Sequence, residues 1–252
     1  MRLNVYLQKA GIGSRREAER MVAEGRVNVN GAAAQPTTPV EEGDAVTVDG
    51  KPVAPDTKPL PRLFMLNKPI DVLVTHRDHK GRTTIFDLPA LNPPLWPKSS
   101  PRLMNVGRLD VNSEGLLLLS SDGPLAQAMM SPETGLSRIY RVRVRGALTP
   151  EQIAALAEGV TADGVNYRGA EFVEEYGKSG RSNSWYRCVL TEGKNREIRK
   201  LMEHCGCVVN RLIRVQYGPF ALGELAIGAL TEIPPVKVKA FVDYLAGKGI
   251  IV

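Results

Sequence analysis

Residues 105–122 read NVGRLDVNSEGLLLLSSD. Gly107 permits a tight approach of the backbone. Arg108 and Asp110 then stand on a loop just before Leu116, Leu117, Leu118 and Leu119, an apolar run with the length of a buried strand. A carboxylate on such a loop can project into a cleft and act as a nucleophile or as a base. Taken alone, a loop aspartate is more often a turn or cap residue. Residues 137–145, SRIYRVRVR, alternate as a half-exposed strand that carries Tyr140 and puts Arg141, Arg143 and Arg145 on one side. A lone strand tyrosine is ordinarily a packing residue. Residues 190–204 read LTEGKNREIRKLMEH. From 187 to 214 there are seven Lys and Arg against Glu192, Glu197 and Glu203, a local net charge of +4. Arg196, Arg199 and Lys200 fall within about one turn of a single helix, so they cannot all face the core. An arginine buried there needs an acidic partner, and such a partner is itself held ionised.

The elements that must position these side chains can be read around them. Strands are expected at 63–66, 72–75, 116–119, 139–144, 184–190 and 212–215. Helices are expected at 150–158, opened by the Thr149/Gln152 capping box with Pro150 behind it, and at 236–245. Asn195 is expected to cap the helix that carries Ile198, Leu201 and Met202. Residues 87–102 hold five prolines and read as an excursion or loop. The N-terminal fifty residues differ. Leu3, Leu7 and Ala10 share a helical face, and Ser14 with Glu17 forms a second capping box for a helix running to about Glu24. Val27 and Val29, then Val46 and Val48, alternate as strands. Between the two units, residues 51–61 read KPVAPDTKPLP, a semi-rigid polyproline-type spacer that should leave the first unit mobile. The expected organisation is a unit over 1–50, a linker over 51–61 and a larger unit over 62–252. Strands and helices without regular alternation make the fold α+β, with a mixed and mainly antiparallel sheet in the larger unit.

The order of these signals carries a resemblance. RLNVYLQKAGIGSRREAERMVAEGRVNVNG, followed by EEGDAVTVDG, resembles the S4 RNA-binding domain over nearly all of its length. That resemblance implies that Arg15, Arg16 and Arg20 contact structured RNA through phosphate and shape rather than bases. GRLD-x-x-S-E-G-LLLL resembles the signature of the pseudouridine synthases, in particular the RsuA branch that modifies ribosomal RNA. The resemblance implies that Asp110 is the essential catalytic carboxylate and that Arg108 engages RNA and helps flip the base. It gives Tyr140 the role of stacking on the flipped uracil. It makes Arg199 the ion-pair partner of Asp110, with Arg196 as the competing choice. Ser113 stands where the family usually has Thr, and Arg138 where it has Lys. Lys194, Arg196 and Lys200 are expected at the RNA surface, and Lys68 is read as structural or phosphate-facing.

Formation of pseudouridine breaks N1–C1′, turns the uracil and joins C5 to C1′, with nothing oxidised, reduced or lost. No cofactor is expected: there is no G-x-G-x-x-G and no Walker A pattern. No metal is expected either, since His204, Cys205 and Cys207 crowd one side of an ion and no second cluster is present. Expected partners are ribosomal RNA, of the large subunit (23S) in preference to the small (16S), or a pre-ribosomal particle. The excess of 33 basic over 27 acidic residues suits a polyanion. Three cysteines, no apolar leader and no membrane-length apolar run point to the cytoplasm, and the resemblance implies a monomer. A non-catalytic S4-type assembly protein and a base-releasing hydrolase are the rival readings.

Overall fold

The computed structural model describes the 252-residue chain except at residues 11, 36, 42, 54–59, 92–101, 176–182 and 251–252. It divides into two compact units, one formed by Met1–Pro61 with Arg102 and Leu103, the other by most of Arg62–Val252.

In the first unit, α1 (Leu3–Lys9) and α2 (Arg15–Ala23) precede a four-stranded antiparallel sheet. Its strands β1 (Val27–Val29), β2 (Ala32–Ala33), β3 (Val46–Val48) and β4 (Lys51–Val53) lie in the order β2-β1-β3-β4. The Ser14/Glu17 capping box forms in both directions. Ala18 and Val22 of α2 pack with Leu3, Leu7, Val27 and Val46 in one core. One expectation is corrected here. Lys51–Val53 is not the start of a spacer but a strand, because the Asp49–Gly50 turn, with both residues at positive φ, folds the chain back onto β3. Most of the remaining proline-rich segment, 54–59, lies outside the described residues.

The second unit is built on a nine-stranded sheet. Its strands are β5 (Leu63–Lys68), β6 (Met104–Val106), β7 (Glu114–Ser120), β8 (Arg138–Arg145), β11 (Glu171–Glu174), β12 (Asn183–Leu190), β13 (Val208–Tyr217), β14 (Phe220–Ala221) and β15 (Leu230–Glu232). The main path runs β11-β12-β8-β13-β7-β5-β15, with β14 on β13 and β6 on β7. The β13–β7 pair is parallel and the other pairs are antiparallel, as the α+β reading with a mixed, mainly antiparallel sheet expects. A separate hairpin joins β9 (Val160–Ala162) to β10 (Val165–Tyr167). Helices α3 (Gly123–Met130), α4 (Pro150–Glu158), α5 (Glu197–His204) and α6 (Pro235–Gly247) complete the unit. Leu116, Leu117, Leu118 and Leu119 are all fully buried, so β7 is covered on both faces. One core joins Leu116, Leu118 and Tyr217 to Leu125 and Met129 of α3 and to Val238, Phe241 and Leu245 of α6.

Two local expectations fail. The strand placed at 72–75 reduces to a single bridge between Leu73 and Thr84, because Asp71 at φ +60 turns the chain and residues 83–85 satisfy Leu73 locally. Helix α5 starts later than an Asn195 cap requires. Its cap position is Arg196, in the left-handed region at φ +53, and no side chain caps it. The turn before it is closed instead by the Lys194 N–H, which donates to Glu197 Oε2. Among the described residues no helix is long and apolar enough to cross a membrane.

Candidate active site

A cavity of about 460 Å³ opens in the second unit where the β6–β7 loop, β8, β13 and the start of α5 meet. It gathers residues far apart in sequence, among them Arg108, Asp110, Tyr140, Lys194, Arg196 and Glu197. Lys200 is not part of its wall. Arg199 instead lines a second cavity, of about 610 Å³, with Asp71, Asn112 and Glu114.

Asp110 sits on the loop entered through Gly107, which takes φ +70. Its backbone carbonyl accepts from Ser113 N–H at 3.0 Å, so the loop is a closed turn that holds the side chain over the cavity. The carboxylate is one-third exposed. Arg196 Nη1 stands 3.7 Å from its Oδ2 and Arg199 Nε stands 4.0 Å from the same oxygen. Both arginines weighed from the sequence therefore face the carboxylate, and both stop short of hydrogen-bond length.

They are held differently. Arg196 is half exposed. Arg199 is 15 % exposed and fixed at both ends of its guanidinium, donating from Nη1 to Val209 O at 3.2 Å and from Nη2 to Asn112 O at 2.8 Å. Its Nε is buried and makes no hydrogen bond. Burial and the neighbouring Arg196 charge push the Arg199 guanidinium below its usual range, and Asp110 opposes them.

The Asp110 loop has a third cationic support that the sequence reading left outside the site. Lys68, at the end of β5, is fully buried and donates to Pro69 O at 2.8 Å, Ser113 O at 2.9 Å and Val111 O at 3.4 Å. Burial lowers its ammonium to about 8, against the pull of Asp71, Asp110 and Glu114. Of the structural and phosphate-facing readings, its buried position and carbonyl partners favour the first, and what it holds is the Asp110 loop. Glu114 begins β7 and pairs in bidentate fashion with Arg211 at 2.9 and 3.0 Å.

Tyr140 and Arg214 are direct cross-strand partners on β8 and β13, and Arg138 and Tyr217 form another such pair. All four line the cavity. Arg138 donates to Leu136 O, Thr191 O and the Tyr217 hydroxyl, and its guanidinium lies over the Tyr217 ring. Arg214 and Glu197 were not singled out from the sequence. The available signal was period two: Arg214 shares the inward face of β13 with Leu212. Glu197 is 3 % exposed, and burial, reinforced by the charge of Glu192, raises its carboxyl to about 7. Lys194 pairs with Glu192 at 2.8 Å and lies over the Tyr167 ring.

In the first unit Arg15, Arg16 and Arg20 are all exposed on α2, and Arg16 and Arg20 lie on the face away from the buried Ala18 and Val22. Their commitments are light: Arg15 donates to Gln8 and Arg20 pairs with Glu24 at 3.6 Å.

The larger unit thus presents a carboxylate on a braced loop, flanked by arginines and a tyrosine, and the smaller one a basic helix on a miniature sheet. Residues 62–204 match the family described as RNA pseudouridylate synthase, and residues 1–46 match the S4 domain. A ribosomal large subunit pseudouridine synthase B of Pseudomonas aeruginosa is 42 % identical over 236 residues, covering 92 % of this chain and 59 % of that protein. One of the same name from Xanthomonas campestris is 42 % identical over 95 % of this chain and 48 % of its own length. An RNA pseudouridine synthase of Rickettsia felis is 39 % identical, covering 92 % of this chain and 96 % of that protein. The chain thus spans about half to three-fifths of the two synthase B relatives and nearly all of the rickettsial one. A crystal structure of a pseudouridylate synthase superposes with a TM-score of 0.63 at 22 % identity, over 95 % of this chain and 98 % of the other, which is a likeness of fold. The chain belongs to the RNA pseudouridylate synthase family and carries an S4 domain at its N-terminus.

Proposed function

We propose that this chain isomerises one uridine of ribosomal RNA to pseudouridine, with the large-subunit (23S) RNA as substrate and Asp110 as the carboxylate at the sugar. The observation that carries the reading is the state of Asp110. Its carboxylate faces the cavity, has two arginines within 4.0 Å, and accepts no hydrogen bond among the described residues. It is thereby free to approach C1′ or the C2′ proton of a nucleotide that enters the cavity. The large-subunit assignment is supported by the synthase B relatives, which are named for the ribosomal large subunit.

In this reading Arg199, fixed from two backbone carbonyls, keeps a positive charge beside Asp110 while the sugar approaches. Tyr140 stacks on the flipped base, a contact worth about 1–3 kcal/mol in comparable cases. Flipping itself costs a few kcal/mol. Arg108, Lys194 and Arg196, at the mouth of the cavity, and Lys200 beyond it, offset that cost by holding phosphates. Arg15, Arg16 and Arg20 do the same from the S4 unit. With β4 counted in the S4 unit, the division before residue 62 then separates an RNA-holding unit from the catalytic one. The chain works as a monomer in the cytoplasm, on naked rRNA or on a pre-ribosomal particle, without a cofactor.

The test is tritium release from large- and small-subunit rRNA transcripts labelled at uridine C5, with wild type and Asp110→Asn. Release by wild type alone, from the large-subunit RNA and with no free uracil, is the expected result. Release from the small-subunit RNA alone would move the substrate to 16S. Tight binding with no release from rRNA or from pre-ribosomal particles would leave an S4-type binding protein. Equal release by the variant would overturn the role of Asp110.

A further inference from the structure

Arg214 is 2 % exposed and lines the cavity, yet only part of its guanidinium is used. Nε donates to Leu116 O at 2.7 Å. Nη2 is buried and has no hydrogen-bond partner among the described residues. No ion pair between Arg214 and a carboxylate occurs among the described residues, whereas Arg141, Arg196, Arg199 and Arg211 each have one. Arg214 and Arg138 both lie over the Tyr217 ring, with guanidinium carbons 5.1 and 4.9 Å from the ring centre. Arg138 spends its terminal nitrogens on protein oxygens. A buried cation with an unspent N–H is costly to keep. Its persistence is accounted for by a ligand that brings negative charge to it.

The position says which part of a nucleotide that is. Arg214 is the cross-strand partner of Tyr140, and directly opposed residues hold their Cβ atoms about 4.5–5.5 Å apart. A register shift between Arg214 and Gln216 marks a local irregularity in β13 beside this pair. Arg108, Lys194 and Arg196 are exposed and suit phosphates, but Arg214 sits deep, beside the ring on which the base is read to stack.

We infer that Arg214 is a catalytic residue whose uncommitted guanidinium N–H groups donate to a carbonyl oxygen of uracil as the ring leaves C1′. This rests on the reading above, in which a flipped uridine occupies the cavity with its sugar at Asp110. When N1–C1′ breaks, the bonding pair stays on the ring, and the charge spreads onto the carbonyl oxygens. Asp110 compensates C1′, either by a C1′–O bond that is later broken or by holding a C2′ proton that is later returned. The ring then turns, C5 gives an electron pair to C1′, the C5 proton is lost and N1 takes one up. Atoms and electrons balance, and no co-reactant is needed. A donor fixed in the cavity wall binds the uracil anion more strongly than neutral uracil, and so lowers the barrier rather than only holding the substrate.

The experiment compares wild type, Arg214→Gln, Arg214→Lys and Asp110→Asn in single-turnover consumption of the target nucleotide. The target position is mapped by the tritium assay, carries either uridine or 5-fluorouridine, and is followed by digestion and mass spectrometry. Fluorine at C5 withdraws electrons and eases formation of the uracil anion. Arg214→Gln should slow uridine consumption about 10²–10³-fold, as loss of one such donor does elsewhere. Its defect on 5-fluorouridine should be at least tenfold smaller, RNA affinity should change little, and Arg214→Lys should recover part of the rate. Equal defects on the two bases, or a loss confined to RNA affinity, would overturn the inference. If the Gln variant does not fold, the ratio of the two defects in Arg214→Lys decides in the same way. An active Asp110→Asn would instead locate the fault in the reading of the cavity.

Discussion

Gly115 is where β7 meets β13, and its replacement by alanine tests the close parallel contact beside the Asp110 loop. Gly115 takes φ +98, and a Cβ placed on it would stand 2.3 Å from the carbonyl oxygen of Arg214 and 2.9 Å from its amide nitrogen. Both atoms are backbone, in a ladder that pairs Gly115 with Arg214 on one side and with Lys68 on the other. No flexible side-chain end is available to yield. The left-handed backbone costs an L-residue about 1–2 kcal/mol, and overpacking a filled interior typically adds about 1–3, so Gly115→Ala should lose roughly 2–5 kcal/mol. Gly107 supplies the control. It takes φ +70 in the same loop region, but a Cβ there meets nothing within 4 Å, so Gly107→Ala carries the backbone cost alone. For a protein of this size 1 kcal/mol shifts the melting midpoint by roughly 2–4 °C. Thermal unfolding should therefore place Gly115→Ala about 4–20 °C below wild type, and clearly below Gly107→Ala. Tritium release by Gly115→Ala should also fall at temperatures where the variant is still folded, because Arg214 moves with β13. Equal midpoints for the two alanine variants would refute the argument from the close approach.

Three further expectations follow from the site and the RNA-holding helix. Glu197 is raised to about 7 from the ordinary 4.5, so between those values the folded chain keeps a proton that the unfolded chain has lost. Stability should then fall as pH rises across that window, by up to about 3 kcal/mol at roughly 1.4 kcal/mol per pH unit, and Glu197→Gln should flatten the slope; urea unfolding at pH 5 and pH 7.5 measures this, and an unchanged slope in the variant would locate the titration elsewhere. Lys68→Met removes the donor to Val111 and Ser113. It should cut the single-turnover rate at least tenfold while moving the melting midpoint only a few degrees, since losing a buried ammonium relieves its desolvation; a wild-type rate would mean that the Asp110 loop holds itself. Replacing Arg15, Arg16 and Arg20 by alanine should weaken rRNA binding and lower the slope of log K against log salt by about one per lost phosphate contact, with filter binding across a salt series as the readout.

The elements that followed from local chemistry were legible in the sequence. The Thr149/Gln152 box opens Pro150–Glu158 as read, the Ser14/Glu17 box opens Arg15–Ala23, and the four leucines of β7 form the buried strand their composition demands. Asp110, Tyr140 and the two candidate arginines were singled out as well; the fold sets Asp110, Tyr140 and Arg196 around one cavity and both arginines within 4.0 Å of Asp110. What was not legible depended on register across strands. Arg214 reads as one more cation in a basic run until β13 is laid against β8, which sets it beside Tyr140. Glu197 reads as a helix-surface acid until the left-handed Arg196 turns the start of α5 inward. That conformation has no sequence signature, since arginine rarely adopts it. The same turn defeated the Asn195 cap.

The cationic residues around Asp110 also explain how the site can hold a carboxylate steady without occupying it. Lys68 binds the carbonyls of Val111 and Ser113, Arg199 binds that of Asn112, and Arg214 binds that of Leu116. Three buried or nearly buried cations, from β5, α5 and β13, thus draw in the backbone that follows Asp110. Each spends its hydrogen bonds on neutral carbonyls rather than on the carboxylate. The Asp110 oxygens feel positive charge at 3.7 and 4.0 Å but are not capped by it. Had either arginine closed to hydrogen-bond length, the carboxylate would have to break a charge-assisted bond before reaching a sugar carbon, at a cost of about 1.5–3 kcal/mol. Bracing the loop through its carbonyls gives the orientation that a hydrogen-bonded ion pair would give and leaves the carboxylate oxygens open. It follows that a new donor placed against Asp110 should slow the chemistry even as it rigidifies the loop.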